Sequence, residues 1–186
     1  DLNELKIEPN FIYTLDDLQN ALDFSLLNEG VLNSSNQYDK LNTLKIRLNS
    51  IINSEYKKIF EFDKVVSKDE YIRNFFTTKE GKIAQIININ LNGVDDRMIK
   101  TLSKIYGKMF FDYVTSLEKR ASFPIHILME EAHRYVKNDH DYEILGYNIF
   151  DRITKEGRKY GILLGLITQR PSELSATSLS QCTNFL

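Results

Sequence analysis

Two carboxylates stand side by side at Glu130 and Glu131, directly after the apolar run Ile125-His126-Ile127-Leu128-Met129 and directly before Ala132 and His133. A hydrophobic strand ending in adjacent acids presents them at the carboxyl edge of a parallel sheet, where open α/β folds bind ligands. One such acid can hold a hydrated Mg²⁺ while the next orients a water for attack on a phosphate. The same pair would also suit the N-terminus of a following helix through its dipole. A second apolar run ends in Thr168-Gln169-Arg170-Pro171. Gln169 there could hydrogen-bond a γ-phosphate or its attacking water, although Pro171 and Ser172 also read as plain helix starters. The third segment is Lys155-Glu156-Gly157-Arg158-Lys159-Tyr160-Gly161. Its basic residues complement a helix dipole and Gly161 suits a helix stop. An Arg158 projecting from a subunit edge into a neighbour's nucleotide would instead be worth about 10³ to 10⁵ in rate.

The elements that must hold these residues fall into two patterns. Leu15, Leu18 and Leu22 recur at helical spacing behind Thr14, with Asp17 three residues on as an imperfect capping box, and predict a helix ending near Gly30. Leu41, Leu44, Leu48 and Ile51 define one stripe of a second helix. Ser67 and Glu70 box the start of a third, running through Tyr71, Ile72 and Phe75. After Lys82 the pattern changes. Ile83, Ala84, Ile86, Ile87, Ile89 and Leu91 predict a buried strand, ended by Asn92 and Gly93. Asp95 or Asp96 then caps a long helix with Met98, Leu102, Ile105, Met109 and Tyr113 facing inward. Strand Ile125 to Met129, a helix from Tyr142 to Lys159 and strand Ile162 to Ile167 follow. Strands alternating with helices of this length predict crossovers and a mainly parallel sheet, so the second half is α/β. The change of pattern lies near residues 76 to 82.

The chain has 186 residues, enough for about one domain, and 42% of them are hydrophobic and 11% aromatic, which supports a folded core. Its 24 Lys and Arg against 26 Asp and Glu leave a net charge of −2, so bulk charge does not drive binding to nucleic acid and any such contact comes from local patches. Lys119 with Arg120, or Lys57 with Lys58, could form one. The single cysteine, Cys182, excludes an internal disulfide and a multi-cysteine metal site, and reads as a packing residue. His126, His133 and His140 recur every seven residues, but one lies in a strand and the next at a helix start, which argues against a shared zinc. No apolar stretch approaches the roughly 20 residues that span a bilayer, and the polar start carries no secretory signal, so the expected setting is the cytoplasm without a membrane. A start without Met and a stop just after a polar helix-like segment suggest a piece of something longer.

Taken together, Ile127-Leu128-Met129-Glu130-Glu131-Ala132-His133-Arg134, then Glu156-Gly157-Arg158-Lys159-Tyr160-Gly161, then Thr168-Gln169-Arg170-Pro171-Ser172-Glu173 resemble the HerA family of hexameric DNA-translocating ATPases, relatives of FtsK. The resemblance is clear from about Lys82 to Leu186. It implies a partial RecA-like P-loop ATPase core over residues 81–186, carrying the Walker B and sensor parts, preceded by a helical insertion subdomain over 1–80. On that resemblance Glu130 takes the Mg²⁺ position of Walker B, Glu131 is the catalytic base, and Gln169 is the sensor contacting the γ-phosphate of ATP. Arg158, helped by Lys159 or Arg152, acts on the adjacent subunit's ATP. A homo-hexamer drawing duplex DNA through its channel is implied, with a nuclease or defence effector as partner in DNA-end processing or phage defence. The related conjugation and secretion ATPases are the alternative, although they more often carry an aromatic where His133 stands. A catalytically silent assembly or DNA-binding module is the alternative of a different class.

One part of the pattern is missing. A phosphate-binding loop needs Gly-x-x-x-x-Gly-Lys followed by Ser or Thr, because backbone amides cradle the phosphates and the hydroxyl reaches Mg²⁺. Gly81-Lys82 is followed by Ile83 and Gly107-Lys108 by Met109, and Gly107 falls within an expected helix. The chain is therefore expected to be the carboxyl-side part of a motor, without its Walker A loop and with little ATPase activity of its own.

Overall fold

The computed structural model describes residues 13–27, 29–60, 66–137 and 148–184. The chain divides into two compact units after Val65.

The first unit is helical: α1 (Leu15–Leu26), α2 (Glu29–Leu32), α3 (Ser35–Ile52) and α4 (Lys57–Phe60). Thr14 and Asp17 form the full reciprocal box at the start of α1. The Thr14 hydroxyl accepts from the Asp17 N–H at 3.1 Å, and the Asp17 carboxylate accepts from the Thr14 N–H at 2.8 Å. That backbone N–H, and then the Thr14 hydroxyl, hold the Asp17 carboxyl below the usual carboxylate range. Lys45 on α3 pairs with Asp23 on α1 at 2.6 Å. Of the expected stripe on α3, Leu48 is buried, whereas Leu44 is exposed.

In the second unit, α5 (Lys68–Phe75) starts where the Ser67 hydroxyl accepts from the Glu70 N–H at 3.1 Å, and it packs on α6 (Asp96–Ser116). Asp95 caps α6 by accepting from the N–H groups of Arg97 and Met98. The buried face of α6 is Ile99, Gly107, Phe110, Phe111 and Val114. It is rotated by one residue from the expected Met98, Leu102, Ile105, Met109, Tyr113 stripe, about 100° around the helix. Two phenylalanine rings remove more apolar area from water than the residues beside them, so they set the face. Gly107 completes it, because a Cβ there would stand 3.2 Å from the Phe150 ring. Gly107-Lys108 is thus a helix packing site and no phosphate loop.

Strands β1 (Ile125–Met129) and β2 (Ile162–Leu166) are parallel, paired from Ile125↔Ile162 to Met129↔Leu166. Between them comes α7 (Ile149–Glu156), continued by a 3₁₀ turn over Gly157–Tyr160; after them a 3₁₀ turn over Pro171–Glu173 leads to α8 (Ala176–Ser180). The front part of the expected Tyr142–Lys159 helix, residues 142–147, lies outside the described residues, as does His140. Ile125, Met129 and Ile162 join Phe111, Val114, Phe150 and Ile153 in one core. The other face of the strands leaves Leu128 68% exposed.

The strand expected from Ile83 to Leu91 does not form. Thr77 and Ile83 make one isolated antiparallel bridge, and Ile86 is 89% exposed. A β-branched run supplies propensity, but a strand also needs a paired neighbour and a buried face; the Ala84 N–H still reaches the Phe76 carbonyl at 2.8 Å, and residues 85–90 form no ladder and bury no side chain. The sheet among the described residues is therefore two-stranded. The result is a mixed α/β fold with a small parallel sheet, compatible with part of a P-loop fold. No helix among the described residues is long and apolar enough to cross a membrane.

Candidate active site

Because β1 and β2 run parallel, their carboxyl ends share one edge, and the backbone there departs from a regular ladder. Ile167 donates to the Met129 carbonyl at 2.9 Å, and the Ile167 carbonyl accepts from Ala132 at 2.9 Å. A regular parallel ladder would use the Glu131 N–H for that second bond. The extra residue makes a bulge at Glu130 and Glu131. Glu131 absorbs it in the left-handed region, φ 50° and ψ 43°, at a cost of about 1–2 kcal/mol for a residue with a Cβ.

Such a conformation persists only where its surroundings over-determine it. Here Ala132 is fully buried, and the Glu131 carbonyl accepts from Arg134 at 2.8 Å as the chain turns through the 3₁₀ segment Ala132–Arg134. Arg134 also donates to Asp96 at the start of α6. That pairing raises the guanidinium pKa further.

The acid pair and Gln169 are open to solvent at this edge, whereas His133 and Thr168 are partly buried. Glu130 and Gln169 are exposed, and the Glu131 side chain is 49% exposed. His133 Nδ1 lies 3.3 Å from Glu131 Oε2 and 3.0 Å from Thr168 Oγ1. Thr168 Oγ1 in turn accepts from the Arg170 N–H at 3.0 Å, a turn that leaves Gln169 at its apex. The structure thus brings Glu130, Glu131 and Gln169 to one sheet edge. Exposed carboxylate oxygens are ligands that a hydrated Mg²⁺ takes, and the NH₂ of the Gln169 amide can donate to a phosphate oxygen, so the residues fit both groups. The link through His133 and Thr168 is the part that sequence reasoning missed. Its signal was a histidine two residues after the acid pair and a hydroxyl two residues before Arg170.

A second set of bonds holds the Gln169 segment from below. Lys137 donates to Glu173 Oε2 at 3.0 Å and Arg170 to Glu173 Oε1 at 3.1 Å. Lys137 first, then Arg170, hold the Glu173 carboxyl below its usual range. The contribution of these pairs to folding is complete above the ordinary value near 4.5 and is lost as the pH falls through the lower folded value. Acidification through that window is expected to lower amide protection, taken relative to the intrinsic exchange rate at each pH, in residues 170–175. Glu173→Gln should abolish this pH step, and an unchanged step in the variant would exclude Glu173 as its source. Ser175 and Ser178, both fully buried, each donate to Asp151 Oδ1 at 2.7 Å, which ties α8 to α7.

The basic candidates lie elsewhere. Arg158 and Lys159 are exposed on the turn preceding β2, at the opposite end of the sheet; a five-residue strand separates the two ends by about 16 Å. Arg152 stands on α7 with its Cζ 4.8 Å from the Phe111 ring centroid and its Nε 3.5 Å from Glu156. One chain does not gather these three with the acid pair. The glycines flanking Arg158 have packing reasons: a Cβ on Gly157 would stand 2.5 Å from the Ile162 carbonyl oxygen, and Gly161 has φ +84°. Gly157→Ala is expected to cost about 1–3 kcal/mol in urea unfolding. A cost below the error of the measurement would show that this approach is relaxed in solution.

No family model matches the chain. It is 34% identical over 88 residues to the DNA double-strand break repair helicase HerA of Pyrococcus furiosus, which takes in 46% of this chain and 16% of that protein. To the protein of the same name from Sulfurisphaera tokodaii it is 33% identical over 107 residues, 55% of this chain and 21% of the relative. To a probable helicase of Methanocaldococcus jannaschii it is 49% identical over 69 residues, 37% of this chain and 12% of the relative. The chain spans about a fifth or less of the length of these relatives. Over the matched part of its length, the chain is similar in sequence to HerA-type helicases.

Proposed function

We propose that the chain supplies the Walker B and sensor part of an ATP-driven DNA translocase of the HerA type, with residues 81–186 in its RecA-like core and 1–80 as a helical insertion subdomain. The observation that carries the reading is the bulged edge, where a left-handed Glu131 beside Glu130 faces the strand end that bears Gln169. Glu130 would hold a Mg²⁺ through water, and the ion would supply charge neutralisation to the phosphates. Glu131 accepts a proton from the attacking water, and the Gln169 amide orients that water or the γ-phosphate. Arg158, at the far end of the sheet, serves the ATP of the next subunit, assisted by Lys159 or Arg152, in a six-membered ring around duplex DNA. The work is cytoplasmic DNA-end processing or phage defence with a nuclease or effector partner. The similarity to proteins named as DNA double-strand break repair helicases supports the helicase part of this reading.

The test is ATP hydrolysis by the ring-forming protein that carries this sequence. Turnover stimulated by duplex DNA is expected; none with or without DNA would overturn the reading. Rings mixed from Arg158→Ala and Glu131→Gln subunits should regain activity that neither parent has, because some interfaces then hold both intact residues. Mixtures as inactive as the parents would remove the trans role of Arg158. The 186-residue chain alone, lacking a phosphate-loop sequence, should bind ATP with a Kd weaker than about 1 mM, and tight binding in calorimetry would contradict this.

A further inference from the structure

We infer that His133 is a positioning residue that couples Glu131 to the strand end at Thr168, one ring nitrogen serving two partners in turn; the inference rests on the ATPase reading of this edge. His133 Nδ1 lies within reach of both Thr168 Oγ1, at 3.0 Å, and Glu131 Oε2, at 3.3 Å. A neutral imidazole has one N–H and one bare nitrogen, so Nδ1 either accepts or donates, and the bond it makes selects the tautomer. Thr168 Oγ1 already accepts from the Arg170 N–H, which leaves its own proton free to donate.

Two arrangements follow. In the first, the Thr168 hydroxyl donates to a bare Nδ1, the ring proton sits on Nε2, and the Glu131 carboxylate receives nothing from the ring. In the second, Nδ1 carries the proton and donates to Glu131 Oε2. The first arrangement therefore leaves the Glu131 carboxylate unheld by the ring, and the second ties it to His133. Thr168 is bonded directly before Gln169, so displacement of that strand end alters which arrangement is preferred. The backbone beneath His133 is fixed by the buried Ala132 and its bond to Ile167, and the His133 side chain is only 13% exposed, so the ring has a defined place between its partners.

The experiment reads the ring ¹⁵N resonances of His133 in the labelled 186-residue chain without nucleotide. It is run on the alkaline plateau, where the ring ¹⁵N resonances no longer change with pH, so that the tautomer ratio is read directly. Thr168→Val removes the hydroxyl at nearly constant shape and should shift the tautomer ratio toward Nδ1–H. Glu131→Ala removes the other partner and should shift it toward Nε2–H. Thr168→Ser keeps a hydroxyl and should restore the parent ratio, which separates loss of the bond from loss of fold. His126, exposed on β1, is the internal reference and should not move. A ratio unmoved by both substitutions, or moved in the same direction by both, overturns the coupling. No nucleotide enters the measurement, so such a failure leaves the ATPase reading standing, and a failure of DNA-stimulated turnover strikes that reading alone.

Discussion

Glutamine in place of Glu131 is expected to leave ATP bound and to lower its turnover by about 10² to 10⁴, the usual worth of a positioned general base. The substitution keeps the shape of the side chain and its left-handed turn but removes the ability to accept a proton. Glu131 already occupies that turn with a Cβ, so the backbone gains no new strain. The measurement is single-turnover hydrolysis in the ring-forming protein, alongside the Kd for a fluorescent ATP analogue. A normal rate with normal affinity would take Glu131 out of the mechanism. Loss of affinity as well as rate would indicate a binding role in place of the base.

Phe111→Ala is expected to cost about 3–5 kcal/mol, the range for emptying a buried aromatic site. Phe111 is 1% exposed, meets Tyr160 edge to face at 6.0 Å between centroids, and lies beneath the Arg152 guanidinium. The change removes a core ring and also the support of the turn that carries Arg158. Against a typical total of about 5–15 kcal/mol it is a large fraction. It should appear as a lower urea midpoint at unchanged slope. Ile86→Ala, at a side chain 89% exposed, is the control and should stay within about 0.5 kcal/mol. Equal midpoints for Phe111→Ala and the parent would mean that the second unit does not pack in solution as described.

What the sequence made legible follows from how local each signal is. Thr14 with Asp17, Ser67 with Glu70, and Asp95 cap their helices as their types and spacing predict, since a cap is settled within one turn of chain. The parallel pair ending in Glu130 and Gln169 was legible because both runs are short, apolar and sharply ended. The face of α6 was misread by one position. Periodicity counts apolar residues alike, whereas Phe110, Phe111 and the gap at Gly107 decide which side fits against Phe150. The run from Ile83 to Leu91 has strand composition without a strand, because pairing depends on a neighbour that no local pattern contains. At the candidate site the residue types were legible and their arrangement was not. The extra residue at the end of β1 and the His133 contact with Thr168 are fixed by which carbonyl meets which amide across two strands.

The surplus residue at the end of β1 has a consequence for how this edge tolerates change. Deleting either Glu130 or Glu131 would let the next amide fall into step with Ile167 and relieve the left-handed turn, so the shortened protein is expected to melt later than its parent. It would also draw the surviving acid into the pleat, out of reach of anything docked beyond the strands. At this point in the chain, a neater weave and a working edge are opposed demands, and the irregular stitch is the one that keeps two acids facing outward.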